Sequence, residues 1–351
     1  MSGRRPGLAP IACLVVLAWG LAISEALAQD PVARYEPVAD TEVVRQQPYQ
    51  RFFTQDRFGR RIVFYSSEEP NGGAPLPLVV YIHGSGAQSH FVESGGRIEG
   101  GNGHSSFADV VRGRARLLIV EKPGVTFLDA LSDRGGASGA SPLFRLEHTL
   151  DRWTEAVHAA MEAARKLAYI RPGAVLVVGH SEGGIVAAKL AAEHDWITHV
   201  AVLAGGGPTQ LYDLVALARR GEFFRRISDN ANDRVLYVLE EWESILADPD
   251  NPDRLFFGHP YRRWSSFLRT STLEHLLRTR ASIYAAQGTE DRAVAWESFE
   301  FLRAELLARG RGARFDTVTG GDHSFSIVTQ GDRVDGWTGL LQRVTSWFLG
   351  G

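Results

Sequence analysis

Between residues 174 and 194 the sequence reads AVLVVGHSEGGIVAAKLAAEH: an apolar run breaks at Gly179-His180-Ser181-Glu182-Gly183 and resumes as a helix of small residues. A serine on so sharp a strand-to-helix turn is held clear of both elements, and the flanking glycines let the backbone take the turn without Cβ clashes. Its hydroxyl is presented rather than packed. The chemistry open to it is nucleophilic attack, for which a serine needs a neighbouring base to take its proton. Gly-x-Ser-x-Gly alone is a short pattern in a chain with 37 glycines among 351 residues, so its meaning rests on the strand and helix around it.

Elements able to position such a serine recur along the chain. Tyr49 to Ser66 reads as two strands joined by a turn at Asp56-Arg57-Phe58-Gly59, where Gly59 can take positive φ. Six apolar runs follow, at 77–84, 115–124, 174–180, 199–207, 282–291 and 313–320. Continuous β-rich runs between helical stretches imply parallel strands buried on both faces. Helical spacing is clearest at His148 to Leu167, Ser181 to His194, Trp296 to Arg309 and Val334 to Phe348, whose role is to cover the sheet.

Two segments do not fit a minimal alternating sheet. Phe91 to Ser105 is glycine-rich, and Pro208 to Arg280 carries three expected helices and many aromatics; a structureless loop of that length would be improbable, so the segment reads as a helical cap over 208–281. Pocket shape is expected to come from the cap and from the loop after Phe91. Arg262, Arg263 and Trp264 in the cap read as a helix surface rather than as substrate contacts.

Four features now stand in one chain order: His83-Gly84-Ser85-Gly86 at the end of an early strand, Ser181 at the turn, Asp291 in QGTEDRAV and His323 in GGDHSF. In this the chain resembles the α/β-hydrolase fold superfamily, whose catalytic residues run Ser, acid, His. The resemblance extends over nearly all of residues 50 to 350. It implies a mostly parallel, doubly wound sheet of about eight strands, with core segments 29–207 and 282–351 around the cap. It also implies Ser181 as nucleophile, His323 as general base and then acid, and Asp291 as the carboxylate that fixes the imidazole tautomer. The oxyanion donors would be the backbone N–H groups of Glu182 and Ser85.

Each role has a competitor. Glu290 adjoins Asp291, and Asp322 adjoins His323, although a histidine is the side chain suited to act as base near neutral pH. His180 reads as a packed turn residue and His83 as a support for the oxyanion loop, while the Glu182 side chain reads either as solvated or as a group near the substrate. His90, His104 and His259 lack metal-ligand spacing, and Gly100-Gly101-Asn102-Gly103 lacks the Lys-Ser/Thr of a phosphate loop, so no metal and no cofactor is expected.

Composition bounds the setting. With 44% hydrophobic residues, 23% charged residues and a formal charge of −3, the chain is globular and has no basic run suited to nucleic acid. Arg4 and Arg5 precede an apolar stretch from about Leu8 to Ile23 and then Ala26-Leu27-Ala28, the pattern of a signal peptide cleaved after residue 28. The run is short for a membrane span, and Pro6-Gly7 fit poorly after a twin-arginine pair. Cleavage would remove Cys13, the single cysteine, and with it any thiol or disulfide chemistry. The reading is a periplasmic or secreted serine hydrolase acting on a small-molecule ester, with a peptidase or amidase as the alternative on the same fold. A non-catalytic binding protein is the alternative of another class.

Overall fold

The apolar runs pair into one nine-stranded sheet. The computed structural model describes residues 38–43, 49–67, 74–129, 136–329 and 331–350; the expected leader with Cys13 lies outside them. Six strands form the parallel part: Leu76–Ile82, Arg116–Val120, Ile170–His180, His199–Leu203, Ser282–Gly288 and Arg314–Val318. Val38–Val43, Tyr49–Gln55 and Arg61–Ser67 add an antiparallel flank. Numbered along the chain, the nine lie in the order 1-2-3-5-4-6-7-8-9, so the strand ending at His180 sits near the middle. The sheet agrees with the expected mostly parallel one of about eight strands, with Val38–Val43 as its antiparallel edge.

Helices cover both faces because the strands are apolar on both. Leu150–Ala164, Glu182–Glu193 and Trp296–Ala308 pack on one face through Trp153, Ala156, Ile185, Leu190, Phe299 and Leu302. His104–Val111 and Gly336–Leu349 pack on the other through Phe107, Val111, Leu340 and Val344. At the entry hairpin, Gly59 takes φ 76°, and the Asp56 carboxylate accepts from the N–H groups of Phe58 and Arg60 at 3.0 and 2.9 Å. The turn is thus closed by a side chain as well as by the glycine.

Segment 208–281 holds four helices rather than three: Gln210–Arg220, Ala231–Ala247, Tyr261–Phe267 and Thr272–Arg278. Leu214, Phe224, Val238, Ile245, Phe256 and Trp264 give it a hydrophobic cluster of its own. Its two ends meet where Thr209 bridges Ser271 and the Leu273 N–H donates to the Gly207 carbonyl at 2.9 Å. The glycine-rich stretch after residue 91 forms a short hairpin, Phe91–Ser94 with Arg97–Gly100. Among the described residues no helix is long and apolar enough to cross a membrane.

Where the central strand turns into its helix, space admits only glycine. A Cβ on Gly183 would lie 2.2 Å from the Ile82 carbonyl oxygen, and one on Gly179 would lie 2.0 Å from that of Gly183. Gly183→Ala should therefore cost about 3 kcal/mol or more. Gly173→Ala, where nothing lies within 4 Å of the added methyl, should change stability by no more than about 0.5 kcal/mol. Urea unfolding of the two variants compares them directly.

Candidate active site

Ser181 has φ 57° and ψ −129°, a left-handed conformation that a residue with a Cβ adopts only when its surroundings impose it. Those surroundings are the strand Ile170–His180, the helix beginning at Glu182, and the close passage of Gly84, whose added Cβ would lie 3.1 Å from that of Ser181. The Ser181 N–H is tied to the Leu203 carbonyl at 2.9 Å. Ser181, Ser85, Glu182 and His323 all line one cavity of about 650 Å3.

His323 is held from two sides. Its Nδ1 lies 2.9 Å from Asp291 Oδ2, and its backbone carbonyl lies 2.8 Å from His180 Nε2. Asp291 is buried, and its Oδ1 accepts from the N–H groups of Ala293 and Val294 at 2.8 and 3.0 Å while Gln287 donates to Oδ2 at 2.7 Å. Burial opposes its charge, but the His323 ring and the N–H groups of Val294 and Ala293 outweigh burial and hold the carboxyl below its ordinary value. The neighbouring Glu290 is exposed. Asp322 accepts from the Ser324 and Ser326 N–H groups and pairs with Arg333, so it shapes the loop that carries His323.

The Glu182 side chain is not solvated: it is 2% exposed. Arg263 donates to its Oε2 through Nε and Nη2 at 2.9 and 2.5 Å, His148 Nε2 stands 2.7 Å from Oε1, and Lys122 Nζ lies 3.5 Å from Oε1. Burial opposes ionisation of Glu182, and these neighbours overcome it, keeping the carboxyl well below its usual range. Burial also lowers His148 to about 4, so it donates as a neutral imidazole at neutral pH. Lys122 is brought down by burial to about 8, and its Nζ donates to the carbonyls of Gly84 and Gly86 at 2.5 and 3.2 Å. The loop that carries Ser85 is thereby fixed to the residue that follows Ser181.

Arg263 and Trp264 do not form the expected helix surface. They are 2% and 5% exposed and line the cavity, whereas Arg262 turns outward to the Leu146 carbonyl and Asp250. In a sequence, the signal for this is a carboxylate one residue after Ser181 in an otherwise small-residue helix, since a charge buried there requires a cation from elsewhere. The loop after Phe91 is absent from the cavity wall, which the cap, Gly136 and the Ala293-Val294 turn complete. His83 is buried with its ring 4.6 Å from that of His90, on the strand side of the loop.

Asp213 also lines the cavity, a site that spacing in the sequence did not reveal. Its Oδ1 accepts from the Ser298 hydroxyl and from the Ala295 N–H at 3.3 Å. Burial pushes its carboxyl up to about 7 despite those two donors. Between roughly pH 4 and 7 the native state therefore holds a proton that the unfolded state has lost, and stability falls as pH rises through that window. Asp213→Asn keeps an acceptor for both donors and removes the titration. The stability difference between the variant and the parent should shift in the variant's favour from pH 4.5 to 7.5, by up to about 1.4 kcal/mol per pH unit, in urea unfolding at both ends. Glu182→Gln, which leaves two buried cations with a neutral partner, should cost about 3–5 kcal/mol in the same assay.

Solved structures share this fold at low sequence identity. Est1E from Butyrivibrio proteoclasticus bound to ferulic acid matches with a TM-score of 0.55 and 17% identity, covering 83% of this chain and 95% of its own. The esterase domain of a Rhodothermus marinus protein matches with a TM-score of 0.52 and 12% identity, covering 86% and 99%. The acylaminoacyl peptidase of Pyrococcus horikoshii gives 0.54 and 11%, covering 86% of this chain and 42% of that one. A sequence search of curated proteins finds no match. A model of the alpha/beta hydrolase family matches residues 79–335, well over half the sequence, from within the strand before Gly84 to beyond His323, and the chain belongs to that family.

Proposed function

We propose that the protein is an exported serine esterase in which Ser181, His323 and Asp291 form the catalytic triad. The observation that carries this reading is the 2.9 Å contact between His323 Nδ1 and a buried, ionised Asp291, in a cavity that Ser181 also lines. That contact leaves Nε2 as the imidazole nitrogen available to take a proton.

The reaction runs in two halves. Ser181 Oγ attacks the ester carbonyl carbon as its proton passes to His323 Nε2, and the oxyanion accepts hydrogen bonds from the backbone N–H groups of Ser85 and Glu182. Collapse breaks the bond to the alcohol oxygen, which takes the proton from His323. Water then attacks the acyl-enzyme with His323 again as base, releasing the carboxylic acid and restoring the Ser181 hydroxyl. The Lys122 bonds to Gly84 and Gly86 keep the Ser85 donor in place before charge develops, which supports a preorganised oxyanion site.

Export rests on the leader expected at residues 1–28 and places the enzyme in the periplasm or outside the cell. Small-molecule esters are the leading substrate class, with amides as the alternative on the same triad. Faster turnover of aminoacyl anilides than of p-nitrophenyl esters would reverse that choice.

A fluorophosphonate probe should label Ser181 in the folded protein; a folded, accessible protein that takes no label is a binding protein rather than an esterase. Ser181→Ala and His323→Ala should each lower kcat on the order of 10⁶-fold, with the double variant little worse. Asp291→Asn should lower it on the order of 10⁴-fold through loss of the imidazole tautomer. Glu290→Gln should do far less, and steady-state kinetics on one p-nitrophenyl ester ranks all five.

A further inference from the structure

One wall of the cavity carries buried donors that the triad does not use. Arg263 spends Nε and Nη2 on Glu182, and its Nη1 is buried with no hydrogen-bond partner among the described residues. His259, 5% exposed on the same wall, has Nδ1 in the same condition. Leaving such groups unpaired is unfavourable, the more so when the group is charged. The guanidinium is also held rigidly, lying 3.9 Å from the Trp264 ring centroid and 4.7 Å from that of Phe267.

The charges around this wall do not balance. Arg263 and Lys122 are two cations against the single carboxylate of Glu182, and the histidines packed beside them, His83, His148 and His259, are held neutral by burial. Glu121, next to Lys122, is pushed up by burial to about 8 and does not supply a second negative charge at neutral pH. Asp213, the other carboxyl of the cavity, is coupled to Asp291 and His323 rather than to Arg263. One positive charge is in excess, and Arg263, which lines the cavity, carries the unpaired, buried Nη1.

We propose that Arg263 and His259 form a carboxylate-binding subsite, so that the preferred substrate is an ester whose non-reacting part carries a carboxylate. The subsite rests on the esterase reading for its placement beside the scissile bond, but a free dicarboxylate should occupy it without any reaction. A carboxylate there accepts from Arg263 Nη1 and from a His259 Nδ1–H tautomer, pairing both open donors and cancelling the excess charge. A neutral alkyl group of the same length would leave both unpaired.

Mono-p-nitrophenyl esters of succinate, glutarate and adipate, compared with neutral p-nitrophenyl esters of equal chain length, test the subsite through the ratio of kcat/KM. The best hemiester should exceed its neutral counterpart by about 10- to 100-fold, as a charge-assisted hydrogen bond of about 1.5–3 kcal/mol predicts. Arg263→Met should bring that ratio to about one whatever its effect on absolute rate. Should that variant fail to fold, the parent protein still decides: the matching free dicarboxylate should compete with a neutral ester, and should bind Ser181→Ala in calorimetry where the corresponding diamide does not. Neutral esters turned over as fast as hemiesters, with no competition at millimolar dicarboxylate, overturn the subsite while leaving the esterase intact. Dicarboxylate binding to a protein that takes no fluorophosphonate and turns over no ester keeps the subsite and discards the esterase.

Discussion

A carboxylate buried directly after the strained serine is the feature on which the rest of the arrangement depends. Moving an ionised side chain out of water costs several kcal/mol even after relaxation, and the cost is met only where cations and donors converge on it. Around Glu182 they come from three separate stretches of chain: Lys122 beyond one strand, His148 before the helix Leu150–Ala164, and Arg263 in the cap. None of these stretches can shift far without exposing the others to an unpaired charge. The elbow helix, the loop of Ser85 and the cap are thus registered against one another by a single side chain.

The same logic separates rigid from adjustable parts of the site. Ser181 keeps its unfavourable backbone conformation because Gly179 and Gly183, two residues away on either side, pack against carbonyl oxygens, and because its own N–H is bonded to the adjacent strand. His323 sits on a loop turned by Asp322 and braced by His180, so the imidazole is held through its main chain as well as through Asp291. Beside its polar residues, the cap lines the cavity with an apolar set, Leu214, Leu217, Phe223 and Phe257. The fixed wall suits the reacting bond, and the apolar set suits whatever hydrocarbon the substrate carries.

How much of this was legible in the sequence follows from the range of each signal. The six apolar strands and their covering helices were legible because burial on both faces writes itself as continuous runs, and the order of Ser181, Asp291 and His323 followed from where those strands end. The first strand, Val38–Val43 with the sequence VADTEV, was not, since polar residues break its apolar run and only pairing with Tyr49–Gln55 makes it a strand. Arg263 was misplaced for a related reason. Its helix, YRRWSSF, alternates polar and aromatic residues as a surface helix does, and what buries it is a carboxylate 81 residues earlier in the chain. Local pattern reports amphipathicity; it does not report that a charge elsewhere needs a partner. Asp213 was hidden in the same way, because its surroundings are assembled from Ser298, Ala295, Asp291 and His323 rather than from its own helix.

The narrow neck of the cap has a consequence for how such a protein diversifies. Both ends of the insertion leave the sheet at one stitch, Thr209 against Ser271 with Leu273 bonded to Gly207, and the insertion carries its own apolar cluster. It is in effect a cassette: exchange of the segment between those two points alters the shape and polarity of the chamber while the strands that hold Ser181, Asp291 and His323 stay untouched. Such an exchange must still give Glu182 a cation from the incoming segment, and must replace the buried Asp213 that bonds Ser298 and Ala295. Selectivity is free to drift where the cassette makes no such bond to the core.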